Sequence, residues 1–264
     1  MAERRKLQHP PLVEALLEVR WELDEIAPGV FRDPGFSVAH VRFYEQVKSE
    51  FPFIEPLPTL QVPDELTAHL AKYRYRVAQG QWPLVQIGPG VATLNFTEPY
   101  DWESFLSHAR RLFPALVSAY DGYEMQFSSL MLRYINAEPF DYEKDDLVSF
   151  LRTHLNTEFQ TPVEKRFLEL RQRVRQVSWS AQYELSKPSG TGILRFATGK
   201  NPQGNRTVIW EQVVESTGAQ MPASNREDFT MIIHWLDEAH AVVEDWFLCV
   251  VEGRLLSKYQ GGEG

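Results

Sequence analysis

Cysteine is nearly absent. Cys249 is the one thiol in 264 residues, which excludes an intrachain disulfide and a cysteine-based zinc cluster. Long apolar runs are missing as well: nothing approaches the roughly 20 residues that cross a bilayer as a helix. The opening MAERRKLQHPP carries basic residues without the apolar stretch of a secretory signal, so a cytoplasmic location is the expectation. Basic residues are outnumbered, 27 against 36 acidic ones, for a formal net charge of −9. A surface of that sign repels phosphate backbones as a whole, leaving nucleic acid only a local basic groove. No Gly-x-Ser-x-Gly elbow occurs. The acidic run 141–146 (DYEKDD) lacks the alternating ligands and glycine of a calcium loop.

What is present patterns strongly. Across residues 13–23 the odd positions Val13, Ala15, Leu17, Val19, Trp21 and Leu23 alternate with Glu14, Leu16, Glu18, Arg20 and Glu22. That period predicts a half-buried strand. A helix is expected over 38–51, and the four prolines between 51 and 63 predict irregular structure there. A meander follows at 73–78, 84–87 and 91–97, with Gly88-Pro89-Gly90 as a hairpin turn. A helix starts after Asp101, its apolar positions stepping by three and four to Tyr120, with a kink or break expected at Pro114. Strand 127–136 and helix 147–159 come next, then strands 177–185, 193–198 and 207–215. A long helix is expected from Ser224, with Glu227 completing a capping box. Three strands and a long helix thus occur twice. The fold class predicted is α+β, a mostly antiparallel sheet with long helices packed on it. It is one compact unit over 1–264 that divides into two similar halves at 10–137 and 138–260.

Chemistry has few footholds. Gly88-x-Gly90 precedes a strand and not a helix, so it fits a turn better than a phosphate loop. On the last helix His234 and His240 are six residues apart, about 120° around the axis, which separates them as metal ligands; no metal is expected. His234 and Glu238 read as a solvated pair. His240 interrupts the apolar stripe of that helix, the mark of a self-satisfied core imidazole or of a pocket residue. In the pocket reading Trp179, Tyr183 and Trp210 would wall a cavity between sheet and helix. Cys249, inside the run 246–251, is expected in the core. Arg171, Arg173 and Arg175, joined by Arg74 and Arg76 with their flanking tyrosines, could line an anionic groove. The last helix is also apolar beside its stripe, at Ile232, Trp235, Ala239, Val242 and Trp246, so a second layer is expected to cover it, either a loop or helix of this chain or a partner chain in an oligomer.

Several segments together carry a resemblance: PPLVEALLEVRW (10–21), PLVQIGPGVATLNFTEPYDWESFL (83–106), LRYIN (132–136) and WLDEAHAVVEDWF (235–247). They resemble a sporadically distributed bacterial family of conserved hypothetical proteins. The resemblance implies a bacterial cytoplasmic protein and supplies no catalytic residue and no cofactor. The expectation is a non-enzymatic binding or protein-interaction module, with a protein partner or self-association and no membrane. The alternatives are a small-ligand protein or enzyme with the pocket above, and a nucleic-acid-contacting accessory protein.

Overall fold

Side-chain alternation puts the first long apolar segment in a strand, and in the computed structural model it is β1 (Leu12–Trp21). The structure describes residues 7–141, 143–158, 162, 166, 174–201, 204–222 and 229–262. Ala15, Leu17, Val19 and Trp21 enter a core, so Glu14, Glu18 and Arg20 take the opposite face. A small hairpin follows, β2 (Asp24–Ala27) and β3 (Val30–Arg32), then helix α1 (Phe36–Val47). Strands β4 (Phe53–Pro56), β5 (Tyr73–Arg76), β6 (Leu84–Gly88) and β7 (Val91–Phe96) lead into α2 (Trp102–Ala119). Strand β8 (Phe127–Pro139) and helix α3 (Leu147–His154) precede β9 (Ser178–Ser186), β10 (Ser189–Lys200) and β11 (Arg206–Thr217). Helices α4 (Thr230–Val251) and α5 (Arg254–Tyr259) complete the chain.

Among the described residues nine strands make one antiparallel sheet in the order β4-β5-β6-β7-β1-β8-β11-β10-β9. The fold is α+β. One row of side chains shows its continuity: Ile54, Tyr75, Val85, Leu94, Leu17, Leu132, Val214, Gly192 and Tyr183 stand opposite one another in turn across all nine strands. This face is covered by α1, α2 and α4, whose Phe43, Phe105, Leu116, Trp235, Leu236 and Val243 share a core with the sheet centre. A second core at one end gathers Phe140, Leu151, Phe196, Trp210, Val251 and Tyr259. Gly192 has a steric reason to lack a side chain, since a Cβ there would overlap the Trp246 ring of α4.

Some expectations need correction. Residues 53–56, expected to be irregular, form an edge strand paired with β5. Proline is tolerated there because an edge leaves half its backbone groups without a ladder partner. Pro114 does not break α2, which runs unbroken from Trp102 to Ala119. Burial of Ala109, Phe113 and Leu116 offsets the missing donor. The helix after Asp146 stops at His154, short of 159, because Asn156 adopts φ 45°, the left-handed conformation that ends helices. The Asn156 side-chain amide then donates to the carbonyls of Cys249, Val250 and Glu252 at 3.3, 3.2 and 2.9 Å, capping α4. Cys249 itself is exposed and not in the core; Val250 and Val251 take the buried side of that turn. Ser224 and Glu227, the expected capping box, lie outside the described residues. No helix among the described residues is long and apolar enough to cross a membrane.

Candidate functional site

The Gly88-Pro89-Gly90 turn is tied to the rest of the chain through Asp33. It joins β6 directly to β7, with Gly90 at φ +74°, a conformation that favours glycine. The Gly90 N–H donates to Asp33 Oδ2 at 3.0 Å. The same carboxylate accepts from Trp21 Nε1 at 3.1 Å, from the Tyr120 hydroxyl at 2.8 Å and from the Gly35 N–H at 3.1 Å. Burial, and then the Asp33 charge, push the Tyr120 phenol far above its ordinary value. Asp33 therefore fastens the turn, β1, the start of α1 and the end of α2 to one another. Sequence periodicity gave no sign of this residue, because its partners lie up to 87 positions away.

His240 is a packed residue. Its ring stacks on Trp102 with centroids 3.7 Å apart and an 11° interplanar angle. Nδ1 lies 3.1 Å from the Tyr134 hydroxyl, which in turn bonds the Tyr100 hydroxyl. Nε2 is 4.0 Å from Glu244 Oε2, one helical turn on. Trp102 is placed by the α2 N-cap, where Asp101 Oδ2 accepts from the Ser104 N–H at 2.9 Å. The void between the sheet and α2, lined by Leu17, Val19, Phe43, Val85, Ala109 and Leu116, measures about 30 Å³, is almost wholly apolar and takes no residue of α4.

The other candidates spread out. Trp210 is fully buried in the second core, and Trp179 packs beside it against Phe196, centroids 5.8 Å apart. Tyr183 is 45% exposed at the sheet edge and meets the Trp246 ring edge-on at 5.3 Å. His240 packs instead with Trp102 and Tyr134, which belong to the first core. His234 pairs with Glu238 at 3.0 Å. Among the described residues no group of three or more His, Cys, Asp or Glu side chains could hold a metal ion.

The arginines also part company. Arg74 donates to Gln86 and Glu55, and Arg76 to Glu55 and the Gln81 carbonyl. Arg76 also lies over the Trp82 ring at 5.8 Å. These contacts pull the Glu55 carboxyl below its ordinary range, Arg76 contributing most. They belong to a polar ladder on the sheet face away from the helices, continued by Thr93, Asn95 and Glu14. Arg171 and Arg173 lie outside the described residues. Arg175 stands before β9, while Arg74 and Arg76 are on β5, and β6, β7, β1, β8, β11 and β10 intervene. A single groove joining them is therefore overturned by strand order, which sequence spacing does not reveal. Arg175 instead lines a cleft of about 370 Å³ with Lys200, Arg206, Glu143 and Asp145; Arg206 pairs with Glu143 at 3.4 Å. Its lining mixes both signs of charge.

Neither a family model nor a curated protein matches the chain.

Proposed function

We propose that the chain is a non-enzymatic binding protein that meets protein partners through its sheet, and is not an enzyme with a pocket beneath its C-terminal helix. One observation carries the reading: the layer between sheet and helices is filled where the sequence offered an imidazole for chemistry. A general base needs its proton partner within hydrogen-bonding reach, and His240 is occupied by Trp102 and Tyr134.

The cleft beside Arg175 favours a second reading, a small anionic ligand held by Arg175, Lys200 and Arg206. Thermal shift against metabolites and nucleotides separates the two. The interaction reading expects no compound to raise Tm. A specific ligand at about 100 times its Kd stabilises by about 2.7 kcal/mol, or about 5–10 °C for a chain of this length. A rise of that size, lost in Arg175→Ala, would establish the second reading and end the first.

A further inference from the structure

The two edges of the sheet are built differently. β4 is four residues long, follows Pro52, ends on Pro56 and carries Glu55, which Arg74 and Arg76 hold. Shortness, proline and charge all blunt an edge. β9, the opposite edge, has nine residues, SWSAQYELS, with no proline and Glu184 as its one charge. Its register with β10 is unbroken from Ser178 to Ser186.

Hydrogen-bond parity shows which way its backbone points. The Thr198 N–H donates to the Val177 carbonyl at 3.1 Å, and bonded pairs recur every second residue in an antiparallel ladder. Odd-numbered residues of β9 therefore bond to even-numbered residues of β10. The Asn201 N–H to Asn205 carbonyl bond at 2.8 Å fixes the complementary parity between β10 and β11. Ser178, Ser180, Gln182, Glu184 and Ser186 are thus left directing N–H and C=O away from the sheet, and all five are exposed. Among the described residues no strand pairs on that side.

We infer that this edge pairs antiparallel with the same strand of a second copy of the chain, about a two-fold axis through Gln182. The inference rests on the interaction reading and names its partner. The outward set is symmetric about the axis: Ser178 meets Ser186, Ser180 meets Glu184, and Gln182 meets itself. These are hydrogen-bonded pairs and supply about ten backbone bonds. On the helix face Trp179 meets Leu185 and Ala181 meets Tyr183, apolar against apolar. Glu184 faces Ser180, so no charge on the strand meets its like. Tyr183 already leans on the half-buried Trp246, which carries the apolar surface up to the axis. A foreign strand would satisfy the backbone equally; the matched side chains single out a second copy.

Sedimentation velocity of the full chain between about 1 and 100 µM, a range that brackets micromolar affinity, tests this. Wild type is expected to dimerise. Gln182→Pro removes an outward donor without touching a β9–β10 bond and is expected to weaken the dimer by at least about tenfold. Gln182→Lys sets two ammonium groups opposite each other and weakens it too, less so in salt. Ser180→Lys faces Glu184 of the other copy and is expected to keep or tighten the dimer. Should Gln182→Pro fail to fold by circular dichroism, the two lysine variants still give opposite answers. A wild-type monomer at the top concentration overturns the inference, as does a dimer indifferent to these substitutions or a monomer that binds another extended strand at β9. A ligand-induced thermal shift would sink the interaction reading without altering this oligomeric readout, so the two failures are distinguishable.

Discussion

Gly88 and Gly90 flank one proline and are required for different reasons. Gly90 needs a positive φ, which the hairpin pattern announces. Gly88 has no such need; a Cβ there would overlap the Leu70 carbonyl oxygen, because the segment before β5 passes against the turn. The His69 N–H donates to the Pro89 carbonyl at 2.8 Å in the same contact. Backbone cannot swing aside as a side chain does. Gly88→Ala is therefore expected to destabilise by about 1–3 kcal/mol, the usual range for forced overpacking, read as a lower urea midpoint with unchanged slope. The turn was legible from residues 88–90 alone, whereas the second constraint depends on a neighbour 18 positions earlier.

At the scale of elements, the C-terminal helices depend on residues that no local pattern marks. Asn156 caps α4, and α5 is tied to β8 through Glu138, which accepts from the Tyr259 hydroxyl at 2.9 Å and from Lys258. Burial first, then the Glu138 charge, push the Tyr259 phenol well above its ordinary value of 10. The folded chain thus holds this proton at a pH where the unfolded chain releases it. The contribution is whole below the unfolded value of 10 and fades as pH rises above it. Tyr259→Phe is expected to flatten part of the fall in urea midpoint between about pH 9 and 11. A wild-type fall that the substitution leaves unchanged would show that the linkage lies elsewhere, with Tyr120 the next phenol to test. Helix periodicity located α4 and its buried stripe, but the apolar run 246–251 put Cys249 in the core, whereas it is exposed. A run of six apolar residues winds more than once around a helix, and only the packing of Val250 and Val251 against the second core decides which of them face inward.

For the whole molecule the decisive pairing is β1 with β8, whose partners in sequence are more than a hundred residues apart. Among the described residues each strand is followed by a helix, a set of antiparallel strands and a longer helix, with four strands (β4 to β7) in the first run and three (β9 to β11) in the second. Neither run closes its own sheet, because β1 lies between β7 and β8, and β8 between β1 and β11. The first core also takes Trp235, Leu236 and Val243 from α4. Separate fragments 1–126 and 127–264 are accordingly expected to lack cooperative unfolding, while the full chain shows one transition by fluorescence and circular dichroism together. A sharp, independent transition in either fragment would count against this.

Sequence alone determined the fold class, most of the strands, the hairpin turn at Pro89 and the amphipathic C-terminal helix, because each is written in residues within a few positions of one another. It also brought His240 forward as an oddity in an apolar stripe. Only the tertiary structure decided what that oddity means, by setting Trp102 on the ring and Tyr134 beside it. It likewise placed Asp33 at the junction of four segments, parted Arg175 from Arg74 and Arg76, and left β9 rather than an inner strand at the edge. These are matters of long-range strand order and burial, fixed by packing free energy summed over the whole sheet, and no local window contains that sum.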